Sequence, residues 1–279
     1  VKIAALQMRS GIEPEANMDA LEALAEEAAG QGARYLLSPE VTVVFAESRE
    51  QLASIAGPYE GNPHLERAAG IARRHGVHLH VGSLAVALPD GRFANRSVLF
   101  SPDGRVEATY DKIHLFDATL AGLRDYRESA TYRGGERAVT APVGDFTLGL
   151  AICYDMRFPR LFNTLAKSGA QVMAVPAAFT VPTGEAHWHV LLRARAIETG
   201  SYVIAAAQGG HHANGRATYG HSLIVNPWGR IVAEVEGDAP GVIVAEVELE
   251  KVADARARIP VLANERDFAP DPVLPVGVI

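Results

Sequence analysis

Short apolar runs rich in Val, Ile and Ala recur along this chain at residues 1–8, 34–38, 77–86, 95–100, 146–152, 171–176, 201–208, 221–226 and 241–247, and helix-period segments separate several of them. Runs this short read as strands covered on both faces, and their alternation with amphipathic stretches is an α/β pattern. Two segments depart from it. "NRSVLFSPDGRVEATY" and "GHSLIVNPWGRIVAEV" each place a turn sequence between two apolar stretches, which predicts antiparallel neighbours within the same sheets. With roughly ten to twelve strands and only about four clear helices, the economical solution is two mixed sheets packed face to face with helices outside.

The helix signals are local. Asn17 is placed to cap a helix carrying Leu21, Leu24, Ala25 and Ala28 on one stripe, with Gly30 and Gly32 as stops. Asn62 caps a second, with Pro63 in its first turn, Leu65, Ala68, Ala69 and Ala72 inward and Gly76 as terminator. A third starts near Pro159. A fourth covers about 185–199 and gathers Val190, Leu191, Ala194 and Ile197 on one face.

Composition narrows the function classes. The 279 residues are 48% hydrophobic and 21% charged, enough to bury a large core, and no linker-like tract divides them, so one domain over 1–279 is expected. The net charge of -7 comes without a Lys/Arg block, which argues against nucleic acid and membrane surfaces as partners. One cysteine forms no internal disulfide, and the opening "VKIAALQM" reads as a buried strand rather than a leader, so a cytoplasmic location is expected.

Three runs end on reactive groups. "RYLLSPE" ends on Glu40, "VEATYDK" on Lys112 and "TLGLAIC" on Cys153. Crevices beyond the carboxyl ends of strands are where α/β sheets bind ligands, because loops there are held by rigid strands yet free of core packing. A thiol, a carboxylate base and an ammonium suffice for acyl transfer: nucleophile, proton acceptor and oxyanion partner. A sharp turn from Cys153 into the helix at Pro159 would offer the Tyr154 N–H to the same oxyanion. Each residue also has a plainer reading. Cys153 could be an inert core thiol, Glu40 a helix cap and Lys112 a surface charge.

The stretches "LLSPE", "YDKIHLFD", "CYDMRFP", "AAFTVPTGEAHWHVLLRARAIE", "YVIAAAQ" and "YGHSLIVNPWG" together resemble the nitrilase superfamily of carbon–nitrogen hydrolases over nearly the whole chain. The resemblance implies a four-layer α-β-β-α sandwich, Glu40 as general base, Lys112 as oxyanion stabiliser, Cys153 as nucleophile and Glu128 of "YRESATYRGGE" as a second glutamate. It implies subunits that pair through outer helices as a homodimer or higher oligomer, and neither metal nor organic cofactor. "FTVPTGEAHW", "LLRARAIE" and "TYGHS" are similar to the branch acting on amides of small carboxylates and α-keto acids. Deaminated glutathione is the first substrate so implied, with α-ketoglutaramate, other aliphatic amides and nitriles as alternatives. By the same similarity Arg157 and Thr183 match substrate-contacting positions, with Tyr154, Thr180 and Phe179 as weaker candidates. Arg157 would offer a planar fork to a carboxylate, unless it pairs structurally with Asp155 or Glu185.

Other classes fit less well. No G-x-S-x-G serves a serine hydrolase, and a non-enzymatic binding module on the same scaffold would form no adduct at Cys153 with an electrophilic amide or iodoacetamide. Ten histidines invite a metal reading, yet neither "HGVHLH" nor "GGHHANG" finds acidic or cysteine partners at recognisable spacing, and HExxH is absent, so no metal is expected. "GGHHANG" reads as a flexible loop near the pocket mouth, from which His211 or His212 could touch a substrate. His189 stands where many members of the superfamily carry Glu, leaving substrate choice or packing as its role.

Overall fold

The computed structural model describes residues 1–119 and 125–269. Strands β1 (Lys2–Gln7), β2 (Tyr35–Leu37), β3 (His78–Ala87), β4 (Phe93–Phe100) and β5 (Val106–Asp111) lie side by side in that order in one sheet. A short hairpin, β6 (Asp117–Ala118) with β7 (Tyr126–Arg127), follows. The second sheet takes β8 (Val139–Val143), β9 (Phe146–Leu150), β10 (Val172–Ala174) and β11 (Tyr202–Ala205); after a second hairpin, β12 (Gly209–His211) with β13 (Ala217–Tyr219), it is completed by β14 (Leu223–Val225) and β15 (Ile231–Glu234). Strand β16 (Gly241–Glu246) returns to pair antiparallel with β1. Both main sheets are six-stranded and mixed, parallel across β1-β2-β3 and β9-β10-β11 and antiparallel at the turn-linked pairs β4-β5 and β14-β15.

Strand β1 shows why the middle of its run is apolar. Ile3 and Ala5 join a core that includes Leu148, Val172 and Ile204 of the other sheet, while Ala4 and Leu6 face a layer containing Met18, Leu21 and Leu65. Side chains alternate between faces and both faces are buried across Ile3–Leu6, so those four positions are apolar, while Gln7, also buried, bonds its amide to the Gly237 and Ala239 carbonyls and the Ser222 N–H. Helices α1 (Pro14–Gly30) and α3 (Pro63–His75) supply that outer layer. On the far side α4 (Pro159–Lys167) and α5 (Val181–Thr199) cover the second sheet through Phe162, Trp188 and Leu192. Tyr35 and Phe146 meet edge to face across the sheet interface, ring centroids 6.0 Å apart. The result is the α-β-β-α order. Helix α2 (Arg49–Ile55) sends Leu52 into a small cluster with Val44 and Phe93, and α6 (Leu249–Arg258) and α7 (Val261–Asn264) follow β16. Among the described residues no helix is long and apolar enough to cross a membrane.

Several local expectations are met. Asn62 accepts from the N–H groups of His64 and Leu65, and Gly76 ends α3 in the left-handed conformation. Two need correction. Helix α1 begins at Pro14, three residues early for an Asn17 cap; Asn17 is buried and instead bonds the Gly11 N–H, the Gly11 carbonyl and the Val43 carbonyl, tying the β1 exit to the Glu40 loop. In α5 the buried face is Trp188, Leu192, Arg195 and Ala196, whereas Val190 and Ile197 are 67% and 51% exposed. The apolar stripe and the inward face diverge because Arg195 can be buried: its guanidinium donates to the Met156 carbonyl and pairs with Glu198.

Candidate active site

Each of the three strand-end groups lies just beyond its strand, and the fold brings all three together. Pro39 and Glu40 follow β2 in a loop pinned on several sides. Ser38 Oγ meets Thr42 Oγ1 at 2.8 Å, the Val41 N–H donates to Ser83 Oγ at 2.9 Å, and Gln208 Nε2 donates to the Glu40 carbonyl at 3.0 Å. Val41 itself has a φ of 53°. The close approach of β3 depends on Gly82, where a Cβ would stand 2.1 Å from the Ser38 carbonyl oxygen and 2.4 Å from that of Pro39.

Lys112 leaves β5 nearly inaccessible, at 2% exposure. Its Nζ donates to Glu40 Oε1 at 2.8 Å and to both Glu128 oxygens at 3.0 and 2.9 Å. Asn95 Nδ2 on β4 bonds the same two carboxylates, at 2.9 Å to Glu40 and 3.1 Å to Glu128, and the Phe116 N–H donates to Glu128 Oε2 at 2.6 Å. Glu40 Oε2 accepts from the Ala178 N–H at 3.0 Å. Both acids are thus held by donors on several sides, as buried carboxylates require. Burial opposes the charge on Lys112, but Glu128 and Glu40 outweigh it and hold the amine above its ordinary range.

Cys153 sits at the head of a 3₁₀ turn, Cys153–Arg157, with a φ of 49° that few non-glycine residues adopt. Its N–H donates to the Pro176 carbonyl at 2.8 Å, beyond the end of β10. Burial and the Glu40 carboxylate push the thiol well above its usual range, against the opposing pull of Lys112 and the Ala178 N–H. At rest the sulfur is therefore a thiol beside a carboxylate, and its proton has to move as the sulfur attacks.

Asp155, fully buried two residues on, joins the Lys112 and Cys153 segments. One oxygen accepts from the Tyr110 hydroxyl (2.6 Å) and the Ile152 N–H (2.9 Å), and the other meets the His114 N–H (2.9 Å) and Nδ1 (2.7 Å). It does not pair with Arg157. That guanidinium lies over the Phe179 ring at 5.4 Å and against His187 Nδ1 at 3.3 Å, and among the described residues neither Asp155 nor Glu185 forms an ion pair with it.

A cavity of about 410 Å³ opens over Cys153. Glu40, Lys112, Glu128, Tyr154, Arg157, Phe179, Thr180 and Thr183 all line it, so the fold gathers the nominated catalytic and substrate-contacting residues around Cys153, whereas His189, His211 and His212 do not line it. Thr180 and Thr183 share a hydrogen bond of 2.8 Å at the start of α5. Arg49, Arg127 and Arg216 add further cationic groups to the wall. "GGHHANG" supplies strand β12 and the turn of a hairpin rather than an irregular loop: His211 is exposed, while both ring nitrogens of His212 are engaged, with the Ser10 carbonyl and Thr218 Oγ1. His212 thus buttresses Thr218 of the cavity wall instead of reaching a ligand. Sequence reasoning missed Asn95 and the Asp155 hub. Their signal was a polar residue within a stretch read as buried strand or strand exit.

Fold and site together define a four-layer α-β-β-α protein with a buried acid–amine–thiol cluster at the carboxyl ends of its strands. The carbon–nitrogen hydrolase family model matches residues 2–257, and the chain belongs to that family. It is 38% identical over 269 residues to a deaminated glutathione amidase of Yersinia enterocolitica, an alignment covering 95% of this chain and 92% of that one. Among solved structures, the C. elegans NitFhit protein superposes with a TM-score of 0.86 at 34% identity, over 95% of this chain but only 65% of that larger one. An amidase from Nesterenkonia sp. AN1, a mutant carrying a Michael adduct of acrylamide at its active-site cysteine, has a TM-score of 0.73 at 28% identity over 93% of this chain and 98% of that one.

Proposed function

We propose that this protein is a thiol-dependent amidase of small carboxylate and α-keto acid amides, with deaminated glutathione as its substrate. One observation carries the chemistry: Cys153, Glu40 and Lys112, from three distant segments, meet at the floor of a single cavity. The amide carbonyl enters beside Cys153. Sγ attacks the carbonyl carbon as Glu40 takes the thiol proton, and Lys112 Nζ with the Tyr154 N–H balances the oxyanion. The first N–H groups of a helical turn lack partners within the turn, which suits Tyr154 to this role. The C–N bond then breaks and Glu40 returns the proton to the leaving amine. Water attacks the thioester, again giving a proton to Glu40, and collapse restores the thiol as the C–S bond breaks. Glu128, bonded to Lys112 and Asn95, keeps the ammonium aimed.

The substrate assignment rests on the named relatives and on Arg157, a guanidinium in the cavity wall with no carboxylate partner among the described residues. From deaminated glutathione the products would be 2-oxoglutarate and cysteinylglycine. Turnover of deaminated glutathione, α-ketoglutaramate and simple nitriles, compared side by side, tests the reading; preference for either of the latter two would replace it. Cys153→Ala should abolish turnover and the thioester adduct in intact mass spectra. Arg157→Ala should raise KM for anionic amides more than for neutral ones.

Pairing of two copies is proposed through the outer face of α5 and the β14-β15 turn, where Val190, Ile197 and Trp228 are 67%, 51% and 52% exposed. Val190→Glu should then convert a dimer to a monomer in light scattering.

A further inference from the structure

Outside the catalytic cavity, three metal-ligating side chains from three separate elements converge. His189 lies on α5, His221 in the link between β13 and β14, and Glu234 at the end of β15. His189 Nε2 stands 2.7 Å from Glu234 Oε1, and His221 Nδ1 stands 3.1 Å from the same oxygen. All three ligand atoms lie within 4.8 Å of one another. Among the described residues these two rings are the only side chains hydrogen-bonded to the Glu234 carboxylate, and neither is a lysine or arginine that would neutralise it.

We propose that His189, His221 and Glu234 form a binding site for a divalent transition-metal ion of the zinc class. Two imidazoles and one carboxylate are a recurrent zinc donor set, with water completing the tetrahedron. Zinc–ligand bonds of about 2.0–2.1 Å in tetrahedral array put neighbouring ligand atoms about 3.3 Å apart. The His221–Glu234 separation of 3.1 Å is close to that spacing, and the His189–Glu234 separation of 2.7 Å, a hydrogen-bond distance, would open by about 0.6 Å to admit the ion. The side chains are 30%, 26% and 26% exposed, so the ion has a route in and room for a water.

The ligands are also pre-aimed. His221 has a φ of 54°, its N–H donates to the Gly237 carbonyl at 3.0 Å, and its own carbonyl accepts from Trp188 Nε1 at 2.8 Å. Its ring stacks on Tyr219, centroids 4.3 Å apart, and Tyr219 also meets His189 edge-on at 6.0 Å. Such support fixes ring orientation before the ion arrives. Without metal, each ring presents an N–H to the carboxylate. With metal bound, each presents a lone pair from that nitrogen and carries its proton on the other, so the tautomers change and no net proton is required. The ion would tie α5 to the outer strand of the second sheet. None of the three residues lines the catalytic cavity, so the site takes no part in the amide chemistry.

The test uses the full chain carrying Cys153→Ala, which removes the one competing thiol. Zn²⁺ is titrated against a chromophoric chelator, and Co²⁺ is used as a spectroscopic reporter of coordination number. One equivalent per chain is expected, with a four- or five-coordinate Co²⁺ spectrum and a melting temperature that rises with added Zn²⁺. His189→Gln and, independently, Glu234→Gln should weaken binding about 100-fold and abolish the thermal shift while leaving the far-ultraviolet dichroism unchanged. A chain that binds no Zn²⁺ at micromolar concentrations would show the cluster to be a hydrogen-bonded triad only. Binding that survives both substitutions would place the metal elsewhere and equally overturn the proposal.

Discussion

Asp155 is the residue at which stability and catalysis should fail together. It accepts four hydrogen bonds in full burial, from Tyr110, Ile152 and two groups of His114. In Asp155→Asn one oxygen becomes an amide nitrogen, and whichever way the amide turns, a buried backbone N–H, of Ile152 or His114, faces a donor. Hydrogen bonds to a charged acceptor contribute about 1.5–3 kcal/mol each; losing the equivalent of two, with partial recovery at the tyrosine hydroxyl or the imidazole, costs about 3 kcal/mol. At about 2.1 cal/mol/K per residue, a 279-residue chain loses about 5 °C of Tm. Ile152 immediately precedes Cys153 and His114 lies two residues past Lys112, so the same change loosens both reacting segments, and kcat should fall about 100-fold with KM little altered. Differential scanning calorimetry and steady-state kinetics on the variant read both quantities. Tyr110→Phe sharpens the test: alone it removes one donor, but in the Asp155→Asn background it should cost at least about 0.5 kcal/mol less. A Tm within about 1 °C of the parent with kcat within about twofold would refute the reasoning.

Three further outcomes follow from the same geometry. Lys112→Ala should slow acylation by about 10²- to 10³-fold, the usual loss for one oxyanion donor, in single-turnover measurements; a near-normal rate would make the amine structural. Gly82→Ala forces a Cβ against the Ser38 and Pro39 carbonyls, so the Glu40 loop must shift and activity should drop about 100-fold, which a crystal structure of the variant would show as a displaced loop. Burial lowers the pKa of His80 to about 3, so its protonation favours the unfolded chain. Its contribution to stability is complete above about pH 6.5 and declines by about 1.4 kcal/mol per pH unit as the pH falls towards 3; denaturant melts of His80→Gln should have a shallower acid limb than the parent.

How much of this was legible beforehand depends on whether the cause of each feature is local. Glu40, Lys112 and Cys153 could be picked out because each lies just past a strand's carboxyl end, which is visible in one dimension. The parallel and hairpin pairings followed from period and turn residues, which act over a few positions. The inward face of α5 did not follow, since burying Arg195 needs the Met156 carbonyl from a segment 39 residues away. Asn17 has the chemistry of a cap, but a proline three residues earlier starts the helix and leaves that side chain to bridge two loops.

The histidines make the same point most sharply. Spacing rules search for ligands on one turn or one strand, and on that basis "HGVHLH" and "GGHHANG" were the candidates. In the fold His78 faces Glu107, His80 is locked between Tyr35 and Ser97, and His212 supports Thr218. The rings that do converge belong to motifs read as an amphipathic helix and a strand approach, with Glu234 lying 45 and 13 residues from His189 and His221. A ligand set spread over a helix, a link and a strand end carries no short-range signature; only the packing of α5 against β14 and β15 assembles it. The catalytic cluster is built the same way, from long-range pieces. It was legible because a strand end announces each piece, and no such punctuation marks the positions that the helix and the outer strand bring together.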